Sequence, residues 1–283
     1  MPDAATLPSI LITGPTGNLG REIAARLGDR AAVRGLVRGA PRPVPGVGWV
    51  VGDLTQPATL PSALANMDAV LLIWPFLDTA HAAGVIAELV ASTARVVYIS
   101  SAAIDDEAVE QSDPIVGTHA EMETLLRAAN LPLTVLRVDT LASNVRGWIG
   151  QLRNGDRVVG PAIARTPVVD ERDVADAAAT VLLTPPARAT YLLTGPQPLS
   201  RADLVRQLGE ALGRPLTFEP ISTRDARRQM LADGRPEELA DALAAASEHR
   251  PESLRVSPDL ERLTGRAPGT FARWAVDHAA EFR

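Results

Sequence analysis

The sequence predicts an α/β fold built on a doubly wound parallel sheet, and three observations carry that expectation. Short, nearly all-apolar runs recur through the first half and alternate with helix-like stretches, as strands do when crossover helices cover both faces. The first run, Ile10-Leu11-Ile12-Thr13, breaks into Gly14-Pro15-Thr16-Gly17-Asn18-Leu19-Gly20 and resumes with helical periodicity through Leu27. A content of 46% hydrophobic and 22% charged residues in 283 belongs to a globular protein with a sizeable core.

Taken in order, the strands are expected at 10–13, 33–37, 48–51, 69–73, 95–99 and 133–137, with a helix at 119–129 before the last. Residues 103–118 carry Asp105, Asp106, Glu107, Glu110 and Asp113 and read as a solvated acidic loop, with a lid as the alternative. Beyond Arg137 the pattern is less regular. A helix at 173–183 is stopped by Pro185-Pro186, and a strand at 191–194 is closed by Gly195-Pro196. Residues 200–212 form a helix that Ser200 caps and Gly213 ends, with Asp203 at its third position. The remainder is mainly helical, without internal repeats or a long linker.

The three glycines sit at G-x-x-G-x-x-G spacing between a strand and a helix. One permits the sharp turn, one lets backbone approach a diphosphate, and one lets the helix pack on the strand. The helix start adds free N–H groups and a positive dipole end. Dinucleotide binding follows, through Thr13, Gly14, Thr16, Gly17, Asn18 and Leu19. The end of the second strand should meet the adenosine ribose. Arg34 and Arg38 stand there where a carboxylate would repel a 2′-phosphate, which favours NADP over NAD. Asp53 and Leu54 end the third strand, where a polar group can bond the adenine amino group. Ile73-Trp74-Pro75-Phe76 follows the fourth, at the carboxyl edge where ligands collect.

What is missing also constrains the chemistry. There is no cysteine, and all 28 basic residues are arginine. Thiolate nucleophiles, Schiff bases, a Walker lysine and a Tyr-x-x-x-Lys dyad are therefore excluded. The four histidines, His81, His119, His249 and His278, lack metal-ligand spacing, so no metal is expected. A net charge of −6 with no basic cluster beyond Arg224, Arg227 and Arg228 argues against nucleic acid. No apolar run reaches the roughly 18 residues of a membrane span. Met1-Pro2-Asp3 lacks the basic start of a secretory signal, so a cytoplasmic location is expected.

The glycine loop, Leu36-Val37-Arg38, Gly52-Asp53-Leu54 and Leu133-Thr134-Val135-Leu136-Arg137 occur in an order that resembles the NmrA-like atypical short-chain dehydrogenases, within the NAD(P)H-dependent quinone- and dye-reductase branch. His119-x-x-x-Glu123, Asn144, Asp173-Val174-Ala175, Tyr191 to Pro196 and Phe271-Ala272-Arg273-Trp274 extend the resemblance over nearly the whole chain. It implies a Rossmann core at 1–140, completed by 166–195. A smaller, mostly helical substrate region at 141–165 and 196–283 would pack on that core as one structural unit. Trp74, Pro75, Ser100, Ser101 and Val138 would lie around the nicotinamide. Trp74, Phe76, His81, Leu141, Asn144 and Trp148 would meet the substrate.

Two departures bear on mechanism. The Ser-Tyr-Lys set of ordinary short-chain dehydrogenases is absent, since no lysine exists and no tyrosine lies between Tyr98 and Tyr191. Arg137-Val138-Asp139 replaces the Arg-Pro-Gly usual in the family and sets a carboxylate beside the nicotinamide position. His119 and Asp139 are the candidate catalytic residues. The function expected is NADPH-dependent reduction of a small, flat, apolar acceptor (a quinone or activated enone), by a monomer or homodimer. The alternatives are a non-catalytic redox sensor and a non-redox cyclase, isomerase or dehydratase.

Overall fold

In a computed structural model, residues 7–40, 44–184 and 189–283 are described; the expected helix stop Pro185-Pro186 and the N-terminal Met1-Pro2-Asp3 lie outside them. The chain opens with β1 (Ser9–Thr13), α1 (Asn18–Leu27), β2 (Ala32–Val37), β3 (Val47–Val51), the one-turn α2 (Pro61–Leu64), β4 (Ala69–Ile73), α3 (Ala82–Ser92), β5 (Arg95–Ser101), α4 (Pro114–Ala128) and β6 (Leu133–Val138). After a 3-10 segment, Ala142–Trp148, come α5 (Ile149–Leu152), β7 (Arg157–Pro161), β8 (Thr166–Pro167), α6 (Glu171–Leu183), β9 (Ala189–Leu193) and β10 (Pro198–Leu199). The last elements are α7 (Arg201–Leu212), β11 (Thr217–Ile221), α8 (Thr223–Ala232), α9 (Glu237–His249), α10 (Asp259–Thr264) and α11 (Phe271–Asp277).

The predicted sheet is present. Its seven strands run in the order β3-β2-β1-β4-β5-β6-β9, and β3, β2, β1, β4 and β5 pair in parallel. Side chains alternate across it. Leu11, Val70, Leu72, Val96 and Tyr98 share one apolar cluster with Leu64, Val85, Leu89, Met122 and Leu126 from α2, α3 and α4. Ile10, Ile12 and Leu71, equally buried, are left for the opposite face, where α1 packs on β1. On that side Arg26 of α1 meets Asp176 of α6 at 2.6 Å, and Arg95 donates to the Leu182 carbonyl at 3.0 Å.

By compactness the backbone forms two units. The first holds residues up to Ser100 with Glu121–Arg137 and Val174–Tyr191; the second holds Ser101–Ala120, Val138–Asp173 and Leu192–Arg283. Relative to the expected core at 1–140 and 166–195, residues 101–120, 138–140, 166–173 and 192–195 group with the second unit. That unit has its own core, in which Val145, Leu152, Val158, Leu204 and Leu208 surround Phe271, Trp274 and Phe282. Two small sheets brace it. β7 pairs with β11 in parallel, and β8 pairs with β10 antiparallel. Buried Glu171 accepts from Arg146 at 2.9 Å, the Trp274 indole at 3.1 Å and the Ser143 amide at 3.2 Å.

One helix begins earlier than expected, and the reason is readable in the chain. Pro114 is its first residue, where the missing N–H costs nothing. The Asp113 carboxylate accepts from the amides of Ile115 and Val116 at 3.1 and 3.2 Å. Asp113 is therefore a buried cap rather than part of a solvated acidic loop. Arg250 clamps it with two contacts of 3.0 Å. Burial would raise the Asp113 carboxyl, but the bonds and charge of Arg250 outweigh it and hold the group below its ordinary range.

Glu123, farther along α4, locks the end of β6 to the end of β5. It accepts from Arg137 Nε and Nη2 at 2.9 and 3.0 Å, from Arg127 at 2.9 Å and from the Ser100 hydroxyl at 2.6 Å. Burial pushes its carboxyl up, yet the bonds from Arg137, Ser100 and Arg127 prevail and leave it depressed. The His119-x-x-x-Glu123 and Leu136-Arg137 segments thus meet in one ion pair. Removing the charge strands the half-buried Arg137, so Glu123→Gln is expected to cost about 3 kcal/mol in urea unfolding at pH 7. The difference should shrink as pH falls through the depressed Glu123 value, because the wild-type advantage exists only while the carboxylate is charged.

Candidate functional site

The glycine loop has the geometry its spacing predicts. Gly14 takes a left-handed backbone with φ of +67°. A Cβ on Gly20 would overlap the Gly14 carbonyl oxygen and lie 3.0 Å from Pro15 Cα, so only glycine lets α1 approach the loop this closely. Gly17 is the N-cap of α1 and brings no side chain to it, and no acidic residue occupies the first turn. The amides of that turn are left to a ligand, and the dipole favours an anion there. A nucleotide diphosphate fits this cradle in both charge and space.

Around the loop, the parallel register gathers the ends of β1 to β5 at one edge of the first unit. Thr16, Asn18 and Arg38 are exposed there, while Leu19 is buried. The Thr13 side chain is buried and serves the sheet. Its hydroxyl donates to the Ile73 carbonyl at 3.0 Å and accepts from the Ile73 amide at 2.7 Å, which ties the end of β4 to the loop. Ile73 in turn lies within ordinary contact of the space beside Gly14. Arg34 is also structural, since its guanidinium donates to the Ala63 and Ala65 carbonyls at the end of α2, at 3.0 and 3.3 Å. Among the described residues, Arg38 is the arginine that remains at this strand end for a phosphate.

Asp53 closes a turn by accepting from the Thr55 amide at 2.9 Å. That bond first, and then the charges of Arg38 and His81, hold its carboxyl below the usual value. The Leu54 side chain is part of the core. Trp74 differs from its expected role as an open pocket wall. It is 6% exposed, its indole N–H donates to the Asp78 carbonyl at 2.8 Å, and it meets Phe76 edge-on at 5.0 Å. The loop folds back on itself to satisfy the indole, which draws the ring into the core. Phe76 and His81 remain half-buried, 5.5 Å apart, and Pro75 is exposed. The Ser100 hydroxyl is committed to Glu123.

In the second unit, Ser101 accepts from the Ala103 amide, and the Val138 carbonyl accepts from Ala102. Past Val138 the chain enters the wall of a cavity of about 390 Å³, a volume suited to a small organic molecule. Three residues expected to meet substrate, Leu141, Asn144 and Trp148, line it together. Trp74, Phe76 and His81 do not. Asp139 is half-buried just behind that wall, accepting from the Thr140 amide at 2.6 Å. Thr140 and Thr166, joined through their hydroxyls at 3.1 Å, do line it. Burial raises the Asp139 carboxyl above its ordinary value, and bonds from Thr140 and Thr166 offset this only in part. His119 is half-buried on α4.

Sequence reasoning missed the rest of the wall, including Met230 of α8, Leu243 of α9 and the guanidinium of Arg201. One signal existed for Arg201: a cation at the first position of a helix opposes the dipole and invites an explanation.

A family profile described as NAD(P)H-binding matches residues 14–185. The chain is 34% identical over 282 residues to the (4-alkanoyl-5-oxo-2,5-dihydrofuran-3-yl)methyl phosphate reductase of Streptomyces griseus, covering 96% of this chain and 99% of that one. It is 29% identical over 283 residues to the NAD(P)H azoreductase of Xenophilus azovorans, with the same coverage. Among solved structures, the NADPH-dependent quinone oxidoreductase of Escherichia coli, complexed with NADPH, shares the fold at a TM-score of 0.79. That match covers 95% of this chain and 99% of the other at 23% identity. The Citrobacter triphenylmethane reductase with NADP(H) does so at 0.77 and 24%, with equal coverage.

Three substitutions test this geometry. Gly20→Ala is expected to cost about 1–3 kcal/mol in denaturant unfolding by overpacking. Gly17→Ala should be close to neutral, because its Cβ would lie 3.4 Å from the Gly14 oxygen. Asp139, with a raised folded-state value, contributes stability in acid that is lost as pH rises through that value. Melting curves of Asp139→Asn should therefore gain on those of the wild type between pH 4 and pH 7.

Proposed function

The chain belongs to the NAD(P)H-binding family, and we propose that it is an NADPH-dependent reductase of a small conjugated carbonyl acceptor. The observation that carries this reading is the glycine-capped first turn of α1, which offers bare amides to a diphosphate at the carboxyl edge of the sheet. When bound, the reduced nicotinamide supplies a hydride, which a conjugated carbonyl accepts as an enolate that solvent can protonate. Such an acceptor makes no demand for the Ser-Tyr-Lys set that this chain lacks. The oxidoreductase names of the Streptomyces and Xenophilus relatives support the assignment.

The residues divide the work. Gly14, Thr16, Gly17, Asn18 and Leu19 hold the diphosphate through backbone. Thr13 fixes Ile73 beside them, and Trp74 buttresses the following loop from within. Arg38 pairs with the adenosine 2′-phosphate, and Asp53 orients the adenine. Ser100, by locking to Glu123, fixes the end of β5. Leu141, Asn144 and Trp148 grip the acceptor and exclude water from it. Asp139 is a positioning residue that acts through Thr140 and Thr166, while His119 is a candidate proton donor to the enolate. An unsaturated lactone or related enone is favoured over an azo bond, because the Streptomyces enzyme is named for a 5-oxo-2,5-dihydrofuran.

Absorbance at the reduced-nicotinamide band tests the reading directly. An unsaturated lactone or quinone should consume NADPH, and a full panel of both without consumption overturns the assignment. In the same assay Arg38→Ala should lower kcat/KM for NADPH about tenfold or more, the scale of one charge-assisted bond. The value for NADH should change by less than about threefold.

A further inference from the structure

The cavity of the second unit carries a cation that no carboxylate among the described residues neutralises. Arg201 is the first residue of α7 and lines the cavity beside Gly160, where a Cβ would lie 2.9 Å from its Nη1. That nitrogen donates to the Pro161 carbonyl at 2.7 Å. No carboxylate pairs with the guanidinium among the described residues, and burial alone draws its basicity down. Asp203, two residues along the same helix, is spent on the Ser200 amide and hydroxyl at 3.1 and 2.6 Å. The dipole at the start of α7 adds positive potential at the same place.

The rest of the lining does not supply the missing charge. Its other arginines are Arg235, which is exposed at the rim, and Arg250, whose charge is met by Asp113. Asp233 is the one carboxylate in the wall among the described residues. With Arg250 met by Asp113, a chain with a net charge of −6 has still set two guanidiniums, Arg201 and Arg235, beside the single wall carboxylate Asp233. Burying a cation without a counter-charge is costly, and a guanidinium in that state facing a cavity has bonding capacity left for a ligand anion.

We propose that this cavity recognises an oxyanion arm of its ligand, a phosphomonoester or carboxylate, with Arg201 as the specificity-determining contact and Arg235 as an outer one. The inference rests on the reductase reading only in naming that ligand as the acceptor. It assigns an acceptor class in which one end is flat and conjugated and the other carries fixed negative charge. The planar fork of a guanidinium matches two oxygens of either group.

Calorimetric titration of the full chain, without nicotinamide, tests this independently of turnover. The probes are phenyl phosphate, benzoate and the neutral benzyl alcohol. At least one anion should bind at least tenfold more tightly than the alcohol, and the stronger of the two identifies the arm. Arg201→Met should lose that preference, Arg201→Lys should restore part of it, and Arg235→Met should weaken it about threefold. Equal binding of alcohol and anions, or an unchanged preference in a folded Arg201→Met, overturns the proposal. If Arg201→Met does not fold, the wild-type contrast and Arg235→Met still decide it. A positive titration beside no NADPH consumption would overturn the reductase reading and leave the anion site standing.

Discussion

The fold depends on how closely a helix can approach the loop that precedes it. α1 rests on the Gly14 carbonyl at a distance that excludes any side chain on Gly20. That contact sets the direction of the helix, and hence the direction of its positive end. Gly14 must then turn with φ of +67°, and Gly17 caps the helix without bringing a side chain to it. Thr13 transmits the arrangement sideways, since its hydroxyl both donates to and accepts from the backbone of Ile73. One steric constraint thereby shapes a loop, a helix dipole and the neighbouring strand end.

Arginine serves two purposes in this chain, and burial with pairing separates them. Arg137, Arg250 and Arg146 each meet a buried carboxylate and fix a chain segment: the end of β6, the start of α4 and the start of α6. Arg38 and Arg201 have no such partner in those networks. The first stands in solvent at a strand end, and the second is half-buried against a cavity. A guanidinium retains its charge across the working pH range whatever its surroundings. An arginine-only chain therefore places fixed positive charges, and the carboxylates decide which of them remain available.

Much of this was legible because it is local. The glycine loop, six core strands within a residue or two and the Ser200 cap of α7 each follow from neighbours in the chain. The Asp113-Pro114 start of α4 was equally local but was masked by four other acidic residues nearby. The pairs β7 with β11 and β8 with β10 were not legible, since each joins short segments dozens of residues apart. Aromatic placement was ambiguous for a physical reason. A tryptophan in a loop reads as a pocket wall unless the carbonyl that will satisfy its N–H is known, and for Trp74 that group is only four residues on. Leu141, Asn144 and Trp148 were expected from the family resemblance, and one short 3-10 segment with its N-cap residue Leu141 sets all three in the same wall. Arg201 and Met230 come from elements whose approach no local pattern encodes.

The two compact units are threaded through each other in sequence. The chain passes from one to the other after Ser100, Ala120, Arg137, Asp173 and Tyr191. Neither is a contiguous fragment, so neither can be expressed by cutting the gene once. A ribosome that has released the first hundred residues has delivered most of the sheet but not β6 or β9. The second unit must await β11 to complete its small parallel sheet and α11 to fill its core. Synthesis of the carboxyl-terminal segments is therefore the event that closes the fold, and a premature stop after α6 would leave exposed apolar surface for chaperones and proteases to handle.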